Sequence, residues 1–159
     1  MSFIIRDYSP TDAPAVNRIA LSAYAEYKTN FTDWIAFERS VGTMSRFAET
    51  AEIVVAEADE LVGAVVYVGP NVAKSAVFGQ APAIRMLSVS PTFRGRGVGR
   101  ALTQACIDRA ARDGSQRIGL HTSPAMATAL SLYLAMGFVK AQDIEPIQGV
   151  PYAVYFKHW

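Results

Sequence analysis

The sequence is short of several things that usually decide a function early. It has one cysteine and two histidines, and no apolar run long enough to cross a bilayer. A lone thiol has no partner for an internal disulfide, and Cys106 falls on the apolar side of its segment, where a small core residue is expected. No metal is expected. An excess of one charge is missing too: fifteen Lys and Arg stand against fourteen Asp and Glu, for a net charge of +1. Such a balance provides no general field for nucleic acid, so any preference for anions has to be local. The opening Met1-Ser2-Phe3-Ile4-Ile5-Arg6-Asp7 carries no basic leader followed by a long apolar stretch, which leads to the expectation of a cytoplasmic chain without a membrane partner. Repeats, low-complexity tracts and interdomain linkers are absent. At 159 residues, 51% apolar and 18% charged, the expectation is one globular domain over residues 1–159.

What is present concentrates at Leu87-Ser88-Val89-Ser90-Pro91-Thr92-Phe93-Arg94-Gly95-Arg96-Gly97-Val98-Gly99-Arg100. An apolar strand leaves through a proline-led turn into alternating glycines, and a helical pattern follows with Val98, Leu102, Ala105, Cys106 and Ala110 on one face. Glycines at 95, 97 and 99 allow positive φ and let main-chain N–H groups approach a bulky anion. The first turn of the helix adds unpaired N–H groups and the positive end of its dipole. Arg94, Arg96 and Arg100 add full charges. A phosphate-bearing ligand is the first expectation.

Two familiar phosphate sites are excluded. A P-loop requires Gly-Lys followed by Ser or Thr, whereas Gly99 is followed by Arg100 and Ala101. A dinucleotide fingerprint requires glycine at its sixth place, where Arg100 or Leu102 stands instead, depending on the starting glycine. What fits is Arg94-x-x-Gly97-x-Gly99 preceded by Leu87-x-Val89-x-Pro91. This resembles the coenzyme A site of the GNAT superfamily of N-acetyltransferases. A second stretch, Ala129-Leu130-Ser131-Leu132-Tyr133-Leu134-Ala135-Met136-Gly137-Phe138, resembles the signature with which that family closes its acetyl-CoA site, matching at Ala129, Leu132, Tyr133, Gly137 and Phe138. Met126 stands where many relatives place an asparagine that bonds the cofactor, which leaves that one contact in doubt while the thioether can still pack on pantetheine.

The rest of the chain reads in order as strand Phe3 to Asp7, helix around Ala15, Val16, Ile19 and Ala23, and a second helix from Thr32-Asp33 towards Phe47. A hairpin of Glu52 to Ala58 with Leu61 to Val68 follows, then a loop from Gly69 to Pro82 long enough for a substrate lid, though a surface excursion explains it equally. Strands Ala83 to Val89 and Arg117 to Thr122 flank the glycine helix, which Gly114 is placed to end. Ser123 and Pro124 can open a helix running to Met136, and strands Phe138 to Ile144 and Tyr152 to Lys157 finish the chain across a loop. The resemblance implies an α/β GNAT fold: a mixed, mostly antiparallel twisted sheet, helices on both faces, and a splayed central strand pair with pantetheine bonded along Leu87, Ser88 and Val89.

The implied cofactor is acetyl-CoA, held by Leu87, Ser88, Val89, Arg94, Gly95, Arg96, Gly97, Val98, Gly99, Arg100, Met126, Ala129 and Tyr133. The implied reaction is acetyl transfer to a primary amine by direct attack on the thioester. An amine with pKa near ~10.4 is neutral in only about one molecule in 2,500 at pH 7, a deficit of roughly 4.6 kcal/mol, so deprotonation has to be provided for. No carboxylate stands on the strand before the glycines, where many relatives have one; Ala83, Arg85 and Ser88 occupy it. His121 is the best base by residue type, with a structural histidine or a water relay as the alternatives. Tyr133 is the expected acid for the departing thiolate, the alternative being an aromatic packing residue.

The acceptor zone implied by the resemblance contains Tyr24, Tyr27, Phe31 and Trp34, and the nearby Phe37, though each can equally serve only to pack helices. Arg85, two residues before Leu87 and expected on its face, can meet a carboxylate on the acceptor if that face opens to the cleft, the alternative being a solvated or internally paired arginine. A small or amino-acid-like amine is the expected partner; a homodimer is left open. The rival readings are an acyl-CoA-binding sensor without catalysis, which the missing carboxylate and Met126 motivate, and a nucleic-acid contact through Arg94 to Arg100, which the charge balance argues against.

Overall fold

A computed structural model describes residues 2–159. Seven strands form one sheet in the order β1-β2-β3-β4-β5-β7-β6, where β1 is Ile4–Asp7, β2 Glu52–Glu57, β3 Leu61–Val68, β4 Ala83–Val89, β5 Arg117–Thr122, β6 Val139–Ile147 and β7 Val150–His158. Every neighbouring pair is antiparallel except β4 with β5. Helices α1 (Ala13–Tyr24) and α2 (Trp34–Val41) cover one face, and α3 (Val98–Arg112) and α4 (Ala127–Ala135) the other. The sheet is therefore the mixed, mostly antiparallel layer that the sequence implied.

Amphipathic spacing explains the packing. On α1, Val16, Ile19 and Ala20 are buried against Ile53, Val55, Ala64 and Val66. On α3, Val98, Leu102, Cys106, Ile107 and Ala110 pack on Val54, Val65 and Ile118 from the other side. Cys106 is a fully buried core residue whose thiol is pushed up to about 12 by burial. Gly114, at φ +82°, follows the end of α3 as expected.

The central strands part where the site lies. β4 and β5 share one register pair, Ala83 with Gly119, sealed by the bond from Gly119 N–H to Pro82 O at 3.0 Å. Beyond it they diverge. β4 is also bulged, for its register against β3 slips between Arg85 and Ser88, and Met86 takes φ +59°.

Several boundaries differ from the sequence reading. The second helix stops at Val41 and a separate 3₁₀ segment, Met44–Glu49, completes the expected stretch, while Asp33 caps as foreseen by accepting from Ala36 N–H at 3.1 Å. The fourth helix starts at Ala127 rather than at Pro124, because Ser123 Oγ is spent on the turn, accepting from Ala125 N–H at 3.1 Å. The expected loop 145–151 is instead a tight hairpin through Gln148 (φ +50°) and Gly149 (φ +79°). Its prolines are tolerated because β6 is an edge strand and Pro151 lies past the last residue of β7 that pairs with β5, Ala153. The 69–82 segment is not a lid: Phe78, 2% exposed, anchors it beneath Gly119, and none of its residues lines the cavity described next.

Candidate active site

Gly97, the N-cap of α3, holds φ +84°, and Gly95 before it φ +76°. Ala101 N–H is already taken by Gly97 O at 3.0 Å, which leaves the N–H groups of Val98, Gly99 and Arg100 as the helix's free first turn. A Cβ at Gly97 would meet nothing within 4 Å, so the glycine is there for its backbone angle and not for space. Gly99 differs. It lies inside the helix, and its Cβ would come within 3.2 Å of Leu132 Cδ2 and 3.7 Å of Val89 Cγ2. It is small so that α4 can close on α3.

This helix end opens into a cavity of about 520 Å³ that runs through the β4–β5 gap to the far side of the sheet. At the α3 end its walls include Val89, Gly95, Gly97, Gly99 and Arg100; Leu87, Met126, Ala129, Leu132 and Tyr133 line the middle; Tyr24, Tyr27, Phe37, Arg85, His121 and Tyr152 line the other end. Of the expected cofactor residues, Leu87, Val89, Arg94, Gly95, Gly97, Val98, Gly99, Arg100, Met126, Ala129 and Tyr133 come together there. Ser88 does not. It is fully buried, and its Oγ donates to Met86 O at 2.9 Å on the α1 side of the sheet. Arg96 also lies outside the lining, its guanidinium carbon 4.8 Å from the centroid of the Phe93 ring. Arg94 reaches the cavity wall with its charge already engaged, at 2.6 Å from Glu26 and donating to Ala23 O at 3.1 Å. Neither Arg96 nor Arg100 has a carboxylate partner among the described residues, and of the two only Arg100 lines the cavity.

The acceptor residues divide in the same way. Tyr24, Tyr27 and Arg85 line the cavity; Phe31 and Trp34 do not. Phe31 is buried and stacked on Phe37 at 3.9 Å, and Trp34 donates from Nε1 to Glu38 at 3.1 Å, so both form the outer wall behind Phe37. Arg85 and Leu87 do not share a face, contrary to simple alternation. The bulge at Met86 leaves Leu87 packed with α3 and α4, while Arg85 turns to the α1 side, 5.3 Å above the Phe47 ring. Residues missed in the sequence are Glu26, Tyr152, Gln148 and Thr128. Tyr152 carries no local signal, since it reaches the cavity through the long β6–β7 hairpin that its flanking prolines disguised.

Burial sets the protonation states. Tyr133 is 5% exposed, and burial first, then the neighbouring Tyr24, Cys106 and Tyr27, raises its pKa well above the ordinary 10. It stays protonated. His121 moves the other way, pushed from 6.5 to about 4 by burial and by the positive charge of Arg85, with its Nδ1 buried and unpartnered. It is a neutral imidazole at pH 7, and a much weaker base than its residue type promised. Arg85 is itself lowered by burial, and among the described residues no carboxylate lies within ion-pair distance of it.

The comparisons with known proteins follow this geometry. The pattern of the acetyltransferase (GNAT) family matches residues 14–138. The chain is 39% identical over 57 residues to N-alpha-acetyltransferase 30 of Saccharomyces cerevisiae, a match covering 36% of this chain and 32% of that protein, so it spans about a third of the curated relative's length. In fold it is similar to a GCN5-related N-acetyltransferase from Rhodopseudomonas palustris (TM-score 0.78, 20% identity, 100% of this chain and 97% of the other). It is similar also to the PaiA N-acetyltransferase from Thermoplasma acidophilum, solved in complex with coenzyme A (TM-score 0.77, 16% identity, 100% of both chains). With the family pattern covering most of its length and the glycine helix-cap at the mouth of a split sheet, this chain belongs to the GNAT acetyltransferase family.

Proposed function

We propose that the chain moves an acetyl group from acetyl-CoA to the primary amine of a small acceptor by direct attack on the thioester. The observation that supports this most is the free first turn of α3 opening into a cavity that continues through the β4–β5 gap to Tyr133 and beyond. The residues fit such a ligand. The N–H groups of Val98, Gly99 and Arg100, with the Arg100 charge, suit a diphosphate; the walls of Leu87, Val89, Met126 and Ala129 suit an apolar arm. Bound acetyl-CoA supplies an activated acyl carbon. Everything else falls to the protein.

The gap aligns Tyr133 and the bulged main chain of β4 along one channel. In transfer a C–N bond forms and the C–S bond breaks. Main-chain N–H groups at Leu87 to Val89 are our candidates for stabilising the charge that develops on the carbonyl oxygen. The Tyr133 hydroxyl hands its proton to the departing sulfur and is restored from water; the amine's proton leaves by water along the cleft. His121, neutral and weakly basic, orients the acceptor rather than taking that proton. Glu26, the carboxylate in the lining, is held by Arg94.

The test pairs calorimetric CoA binding with thiol release from acetyl-CoA over an amine panel. Tyr133→Phe is expected to keep CoA affinity within about threefold and to lower kcat by roughly 10² or more. An unchanged kcat removes Tyr133 from the mechanism, and absence of CoA binding in the parent chain removes the function. The lack of a free carboxylate base in the cavity favours one second reading, a non-catalytic acyl-CoA sensor; tight CoA binding with no thiol release across the panel selects it.

A further inference from the structure

The acceptor half of the cavity contains a charge with no counter-ion among the described residues. Arg85 sits on the bulged β4 with its guanidinium against the Phe47 ring at 5.3 Å, and among the described residues no carboxylate pairs with it. Of the other half-buried arginines, Arg117 is also without a carboxylate partner among the described residues but lies over the Phe156 ring at 4.3 Å, outside the cavity, and the rest are paired. Arg6 is clamped between Asp12 and Glu57, Arg109 between Asp7 and Glu52, and Arg94 is on Glu26. Arg85 alone among these faces the cavity without a counter-ion. A half-buried cation left unpaired is costly unless a ligand completes it.

The surroundings narrow the ligand. Tyr24, Tyr27, Phe37 and Tyr152 give that end of the cavity an aromatic wall, while the one lining carboxylate, Glu26, is occupied. A second ammonium on the acceptor would meet Arg85 with no anion to offset it. A carboxylate would be received by a planar donor of matching geometry.

Resting on the transferase reading above, we propose that the acceptor is a small amine carrying its own carboxylate, an amino acid with an apolar or aromatic body, and that Arg85 is the residue that selects it. The carboxylate pairs with Arg85, the body lies against Tyr24, Tyr27 and Tyr152, and the amine points to the β4–β5 gap where Tyr133 stands.

The experiment compares phenylalanine and leucine with their carboxamides, by thiol release from acetyl-CoA and by calorimetric binding to the CoA-saturated protein. The carboxamides have the less basic amines, which favours them if Arg85 does nothing. The acids are expected to show kcat/KM and affinity at least about tenfold higher than the amides, Arg85→Met to reduce that ratio below about threefold, and Arg85→Lys to keep part of it. Thermal melting and CoA affinity of each variant report whether it has folded. Amides used as well as acids, or an acid preference that survives Arg85→Met in a folded variant, overturn the proposal while leaving acetyl transfer standing. So does transfer to simple amines with no binding of either acid. Failure of the parent chain to bind CoA overturns the transferase reading itself.

Discussion

The hydroxyl of Tyr24 donates to the main-chain carbonyl of Leu87 across 3.4 Å, joining the last residue of α1 to the strand that borders the open gap. The bond is long, and it uses a carbonyl on the stretch where a pantetheine arm would add itself like a strand. Burial and nearby tyrosines hold the Tyr24 pKa far above its ordinary value, so the hydroxyl remains a donor across the working pH range. One tyrosine therefore braces the channel wall.

Removing that brace separates its two effects. Tyr24→Phe keeps the ring that packs edge-on to Phe37 at 5.8 Å and Tyr27 at 6.3 Å, and loses only the bond. Folding stability is expected to fall by about 0.5–1.5 kcal/mol in urea denaturation, while CoA affinity stays equal or rises up to about threefold because the Leu87 carbonyl is released. A loss of CoA affinity greater than threefold would show that the hydroxyl supports the ligand instead of competing with it.

The two glycines that look equivalent in the motif should respond differently. Gly97 sits at φ +84°, where any side chain is strained by roughly 1–2 kcal/mol and the cap amides move with it. Gly99 has helical angles, and alanine there needs Leu132 to yield by a few tenths of an ångström while helix propensity improves by up to ~1 kcal/mol. Calorimetry is expected to show CoA affinity down tenfold or more for Gly97→Val and within about threefold for Gly99→Ala. Gly99→Leu, which has to displace Leu132 from the channel wall, is expected to behave like the Gly97 variant.

That contrast marks where sequence reasoning carried and where it stopped. The helix cap was legible because its causes are local: positive φ at Gly95 and Gly97, a free first turn, and a strand that ends at Ser90-Pro91. Gly99 looks in the sequence like a third position for positive φ and close anion approach, since the reason for its smallness is Leu132, more than thirty residues away in another helix. Alternation placed Arg85 beside Leu87, and one bulge against β3 reversed the face, an event that depends on the register of a partner strand. The aromatic run was visible, but Phe31 is buried behind Phe37 and Trp34 turns to Glu38, while a residue from the carboxyl-terminal hairpin, Tyr152, took the lining place. Local chemistry was readable; what had to be brought from a distance was not.

His121 gives a prediction whose sign can be worked out. Its pKa falls from 6.5 in the unfolded chain to about 4 in the fold, because burial among Phe78 and Tyr152 and the nearby Arg85 both oppose its charged form. Below pH 6.5 the unfolded state therefore binds a proton that the native state refuses, and stability drains away as pH drops towards 4, with the loss complete only below that. Between pH 7 and pH 5 the contribution of this one group is about 2 kcal/mol. Urea unfolding at both pH values is expected to show the parent chain losing that much more stability than His121→Gln, in which other titrations remain and this one is gone. Equal losses in the two proteins would mean that the imidazole is freely solvated and protonates at its ordinary pKa; in that event it regains the basicity needed to take a proton from the acceptor, and the water route proposed for that proton gives way to His121.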